Sequence, residues 1–196
     1  MQQHPATLVA VAALAAALAA HGCAARQSAG STSFHDELMD FSLVRTVAVL
    51  PFANLSGVQP AAGRVRDTFM TSLQGAGAVY VVPPGEVARG IDRVGLSQPT
   101  EPAPEEIVNL CRALGADAAF TGTVLEYGEA RSGSATANYI SLSLKMFEGQ
   151  TGKVVWSAST TQGGVGAKQR LFGGGGRAMN EVTLDAVHDL IGRLFE

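Results

Sequence analysis

Between Arg170 and Ala178 the chain reads RLFGGGGRA, four consecutive glycines flanked by arginines and followed by an apolar-periodic segment. Glycine beside positive charge at a helix start can cradle phosphate, because bare main-chain N–H groups and the helix dipole both favour an anion. The known forms of that site demand more. A Walker loop needs G-x-x-x-x-G-K-[ST], whereas here Lys168 follows Ala167 and precedes Gln169. A dinucleotide fingerprint needs G-x-G-x-x-G directly after a strand, and GGVGAKQRLFGGGGRA is too long and out of register. Both motifs fail, leaving at most a weak anion contact at the helix start after Gly176. Four glycines are costly to order, so a bending connector is their natural use. Two roles stay open for Leu171 and Phe172 just before it: packing on the domain, or standing exposed as a contact for a partner or second copy.

The other titratable clusters are equally spare. Asp185, His188 and Asp189 stand at i, i+3 and i+4 and could reach one metal ion or form an acid–base pair. They share their face with the other polar residues of that segment, which reads as a solvated helix surface. Glu101, Glu105 and Glu106 open a segment starting at a proline, where carboxylates favour the helix dipole. No G-x-S-x-G, H-E-x-x-H or C-x-x-C occurs. The sequence therefore predicts no catalytic residue, no metal ligand and no cofactor.

The amino terminus carries a sharper signal. The first 22 residues contain no Asp, Glu, Lys or Arg, and Ala6 to Ala20 are fifteen small or apolar residues. A membrane-spanning helix needs roughly 20, so the run fits the apolar core of a secretory signal. It ends in LAAHGC, whose small residues Ala20 and Gly22 before Cys23 resemble the lipobox of bacterial lipoproteins. In that family the cysteine receives a diacylglyceryl group and the signal is cleaved before it. MQQHP at the start lacks the usual basic residue, a departure from the pattern. Ala24 after the cysteine, rather than Asp, implies sorting to the outer membrane by the same resemblance. The only other cysteine, Cys111, then has no intramolecular partner. It shares a helical face with Ile107, Leu110 and Leu114 and is expected to be a packing residue.

These readings divide the 196 residues into a signal peptide over 1–22, a lipidated Cys23 with a flexible tether over 23–41, and a globular periplasmic domain over 42–196. Eighteen tether residues reach roughly 60 Å fully extended and nearer 25 Å as a coil. The net charge of −3 offers nucleic acid no basic face. RTVAVLPF reads as a buried strand. AAGRVRDTFMTSLQGAG reads as a helix with Val65, Phe69 and Leu73 one turn apart, and VYVV as a short strand. PPGEVARGIDRVG and the Cys111 segment are helices, the second reached through the proline-rich SQPTEPAP. DAAFTGTVLEYGEA, NYISLSLKMFEG and KVVWSASTTQ then alternate as strands. RSGSATA joins the first two of these as a longer loop, and GQTG turns between the last two. From about Ala178 a helix closes the chain. The order β-α-β-α-α-β-β-β-α predicts an α/β (α+β) fold, one mixed sheet covered by helices.

Three strings carry a resemblance: TVAVLPFANLSG (46–57), LGADAAFTGTVLEYG (114–128) and GKVVWSAS (152–159). They are similar to the periplasmic lipoprotein superfamily that contains the curli secretion lipoprotein CsgG, the penicillin-binding-protein activator LpoB and the TolB amino-terminal domain. The resemblance covers about residues 44–195. It implies an anticodon-binding-domain-like core, no enzymatic activity, and work through protein contacts in the Gram-negative envelope. The candidate partners are the membrane, through acyl chains on Cys23, unidentified envelope proteins, and copies of itself. A curli-type channel adds barrel-forming hairpins, which 42–196 leave no room for. An LpoB-like activator uses a long disordered tether, and this one is short.

Overall fold

The computed structural model describes residues 32–166 and 176–195. Within them the order is β1 (Thr32–His35), β2 (Thr46–Val49), β3 (Ala53–Asn54), α1 (Ala61–Ala76), β4 (Tyr80–Val81), α2 (Pro84–Val94), α3 (Pro104–Leu114), β5 (Ala118–Ser132), β6 (Ala135–Glu148), β7 (Val154–Gly163) and α4 (Met179–Leu194). One mixed sheet holds all the strands in the order β1-β7-β6-β5-β2-β4, with β3 alongside β5. Strands β2, β3, β4 and β5 pair in parallel, and β5, β6, β7 and β1 pair antiparallel. The predicted order of helices and strands from Thr46 onward holds, with the two-residue β3 added.

The sheet separates two apolar layers. On one face α1 (Val65, Phe69, Leu73) and α4 (Val182, Ala186, Val187, Leu190) pack on Val47, Val49, Phe120, Leu144 and Trp156. On the other, α2 and α3 bring Val87, Ile107, Leu110 and Cys111 against Ala48, Leu50, Val82 and Ala119. That second layer covers β2, β4 and the start of β5 only. Beyond it the sheet face is hydroxylated. Thr123, Ser143, Ser159 and Thr32 lie in one row across four strands, and Thr121, Lys145, Ser157 and Phe34 in the next.

Two expectations need correction. Thr32–His35, read as tether, is an edge strand: Thr32 lies opposite Ser159 and His35 opposite Trp156. Its two large side chains, Phe34 and His35, are adjacent and so stand on opposite faces of the sheet, which leaves no apolar alternation to reveal the pairing. Likewise RSGSATA is not a longer loop. β5 and β6 stay paired to Ser132↔Ala135, and only Gly133 and Ser134 turn. Gly133 has φ 59°, the left-handed conformation that a two-residue hairpin requires. The pairing extends past the end of β7, which stops opposite Tyr139. The β5–β6 hairpin thus continues as an arm. GQTG is a turn as expected. Its glycines are set by close approach, since a Cβ on Gly149 would lie 2.7 Å from the Asp117 carbonyl and one on Gly152 2.2 Å from that of Pro104.

Candidate functional site

Several polar side chains at the strand and helix ends are engaged in holding the fold. Asp117 Oδ2 accepts the N–H groups of Arg45 and Thr46, both at 2.9 Å, and Asp117 N–H donates to the Thr46 carbonyl at 2.8 Å. Asn54 organises the turn after β3: its Oδ1 accepts from Ser56 N–H and Oγ, and its Nδ2 donates to the Val58 carbonyl at 2.9 Å. Arg66 is half-buried and donates to the Val49 and Leu50 carbonyls at 2.6 and 2.9 Å, where desolvation lowers its pKa. Glu106 accepts the Ala103 N–H at 2.8 Å and caps α3.

The Asp185–His188–Asp189 spacing does not converge on a ligand. Arg177 binds Asp185 and also pairs with Glu181 at 3.4 Å, while Asp189 pairs with Arg193 at 3.3 Å. The hydrogen bond from Arg177 holds the Asp185 carboxyl below the usual carboxylate range, against a small desolvation effect. His188 is exposed. Among the described residues no three His, Cys, Asp or Glu side chains are grouped to hold a metal ion. Cys111 is 1% exposed, and burial, with the Asp117 charge adding to it, pushes its thiol up to about 12. A thiol protonated at neutral pH is a packing group and not a nucleophile.

Cys23, Leu171 and Phe172 lie outside the described residues, and so do Gly173, Gly174 and Gly175. Gly176 lies inside them and has a definite role. Its N–H donates to the Thr136 carbonyl at 3.0 Å, and a Cβ there would lie 2.5 Å from the Ala137 Cα. Gly164 N–H donates to the Asn138 carbonyl at 2.8 Å, and Asn138 Nδ2 donates to the Arg177 carbonyl at 2.8 Å. The connection between β7 and α4 therefore leaves and rejoins the domain within three residues of β6.

A deep concavity lies at the opposite end of the sheet, where β2 and β5 begin and α1 and α4 end. It is a cleft of about 800 Å³, within the size range of ligand pockets. Val47, Phe120 and Met146 line it from the sheet, Leu73 and Leu194 from the helices, and the segment from His35 to Arg45 forms one wall. The His35 ring stands edge-on to Phe41 and Trp156 at 5.7 and 6.4 Å, and its Nε2 is buried without a hydrogen-bond partner. Sequence reasoning missed this wall, because His35 to Phe41 read as tether. The alternation of Met39 and Phe41, which pack on the core, with exposed Leu38 was the available signal.

Comparison with known proteins adds to this geometry. The family model described as "Putative lipoprotein GNA1162-like" matches residues 39–189. Among solved structures, a PelC dodecamer from Paraburkholderia phytofirmans aligns with a TM-score of 0.56 at 14% identity, over 84% of this chain and 96% of that one. Lipoprotein GNA1162 from Neisseria meningitidis aligns at 0.54 and 18% identity, over 77% and 98%. The LpoB carboxy-terminal domain from Escherichia coli reaches 0.46 at 17% identity over 60% and 81%, too loose to argue from. At such identities the first two likenesses show the fold. No curated protein matches the sequence.

Proposed function

The chain belongs to the GNA1162-like lipoprotein family, and from that membership we propose an acylated envelope module that works by contact and not by catalysis. In this reading residues 1–22 are removed as a signal and Cys23 carries the acyl chains. The domain is held on the periplasmic face of the outer membrane. The observation that carries the non-enzymatic part is the engagement of the polar residues singled out above. Asp117, Asn54, Arg66 and Glu106 all bond main-chain groups, and Asp185 and Asp189 are taken by arginines.

Two finer roles are weakened by the same geometry. A synthase activator of the LpoB kind needs reach, and with Thr32 already in the sheet only residues 24–31 separate Cys23 from β1. Nine residue steps span roughly 30 Å at full extension. A secretion-channel subunit needs a lipid-facing hairpin, and the β5 part of the arm carries Glu129 and Arg131. PelC, which shares the fold, forms a dodecamer, so a second copy of this chain stands beside other envelope proteins as a candidate partner.

Replacing Cys23 with Ser tests the anchor. We expect the protein to move from the membrane fraction to the soluble periplasm and to lose the mass of its acyl groups. Unchanged fractionation and mass would refute the lipoprotein reading. Crosslinking in intact cells followed by mass spectrometry then identifies the partner.

A further inference from the structure

Singly exposed leucines need no explanation, but here they gather at one place. Leu38 is 95% exposed, Leu43 69% and Phe195 51%; Phe195 lines the cleft, and Leu38 and Leu43 each fall between two lining residues of the His35–Arg45 wall. Tyr80, exposed as well, is joined to the same wall by its N–H, which donates to the Arg45 carbonyl at 2.7 Å. The two leucines are not on slack chain. Asp36 Oδ1 accepts the Leu38 N–H at 2.9 Å, and Asp40 accepts the Ser42 N–H and hydroxyl at 3.0 and 2.6 Å. Leu43 N–H donates to the Asp40 carbonyl and Val44 N–H to that of Phe41, each at 3.2 Å. Around the leucines, Met39, Phe41 and Val44 pack on the core. The wall is thus bonded inward and presents leucines outward, each with its own main-chain N–H already bonded within the wall.

Chain length says what can cover this end. Thr32 is nine residues past Cys23, a span of roughly 16 Å as a coil and 30 Å fully stretched. β1 runs from Thr32 toward the cleft end, reaching His35 after about 10 Å. The tip of the β5–β6 arm lies the other way. Thr123 shares a row with Thr32, and Ser132 is nine residues further along β5, about 30 Å. A membrane reached through Cys23 can therefore meet the cleft end with the chain relaxed, and the arm's tip only with it taut.

We propose that the Leu38–Leu43–Phe195 end docks on the bilayer surface, with the cleft mouth against lipid and the β5–β6 arm pointing away. The inference rests on the Cys23 anchor. Asp36, Glu37 and Asp40 outnumber Arg45 on the wall, so the contact is apolar, gains nothing from anionic lipid, and persists at high salt.

The test uses the full acylated chain in phosphatidylcholine vesicles, with an environment-sensitive fluorophore on Leu38→Cys or Ser134→Cys and Cys111 shielded by burial. A quencher carried on the lipid should dim the Leu38→Cys probe several-fold more than the probe at the arm's tip. Equal quenching on vesicle-bound protein overturns the proposal. So does self-quenching between copies at Leu38→Cys that survives in detergent, which would assign the surface to a second copy. A probe on Glu37→Cys should lose most of its quenching when Leu38 and Leu43 are both changed to Asp, and unchanged quenching overturns the proposal as well. A chain without acyl mass that does not float with vesicles removes the anchor reading and the docking together, and the mass spectrum identifies that failure.

Discussion

Asp117 shows how much one side chain can fix. It stands where α3 hands over to β5, and its carboxylate takes the two N–H groups that open β2. The LGADAAF string is therefore a clamp between parallel strands that lie far apart in sequence. Asp117→Ala leaves those donors to water at an exposed site, and we expect a loss of about 1–2 kcal/mol, read as a lower Tm. Asp117→Asn, which keeps an acceptor, should recover part of it. Cys111 makes a prediction of a different kind. Its folded pKa of about 12 lies above its ordinary value of 9.0, so the folded state holds the proton that the unfolded state releases. That contribution is complete below pH 9 and is lost as pH rises toward 12, by at most about 4 kcal/mol. Denaturation at successive pH values should show this slope in the native protein and a flatter one in Cys111→Ala. Equal slopes would contradict the assignment.

At the scale of elements, the two ends of the connection from β7 to α4 lie side by side on β6. Gly164 and Gly176 bond β6 at Asn138 and Thr136, so the segment between them has almost no distance to cover. Closure entropy changes slowly with length. Deleting Gly173 and Gly174 should therefore shift stability by less than about 1 kcal/mol. Gly176→Val should cost about 1–3 kcal/mol, because its Cβ meets the Ala137 backbone. Thermal melts of the two variants compare a spacer with a contact point. Phe172→Ser sorts the remaining case: a lower Tm means packing on the domain, and lost crosslinks at unchanged Tm mean a partner contact.

For the whole molecule, the uneven cover of the sheet matters most. α1 and α4 close one face, α2 and α3 close half of the other, and the exposed apolar side chains of the amino-terminal wall collect at the cleft end. Among the described residues no helix is long and apolar enough to cross a membrane. His188 is exposed on α4, away from the cleft. His188→Ala should leave cellular function and in-cell crosslinks intact. Complete loss of function in a normally melting variant would instead point to the metal or acid–base reading of Asp185, His188 and Asp189.

The sequence by itself determined the helices and inner strands, because apolar periods of 3.6 and 2 record which face of an element is buried. Val65–Phe69–Leu73 and Ile140–Leu142–Leu144–Met146 are the clearest cases, and all seven are buried. It also placed Cys111 in the core and made the phosphate reading of the glycines fail. Only the tertiary structure decided that Thr32–His35 is an edge strand and that RSGSATA stays paired. In both, main-chain bonds carry the pairing, to distant β7 in the first and across the Gly133–Ser134 turn in the second, and the side chains leave no apolar period to read. The same holds for Asp117, Asn138 and the cleft. Their roles depend on which segments meet, and a linear pattern records burial without recording the neighbour that causes it.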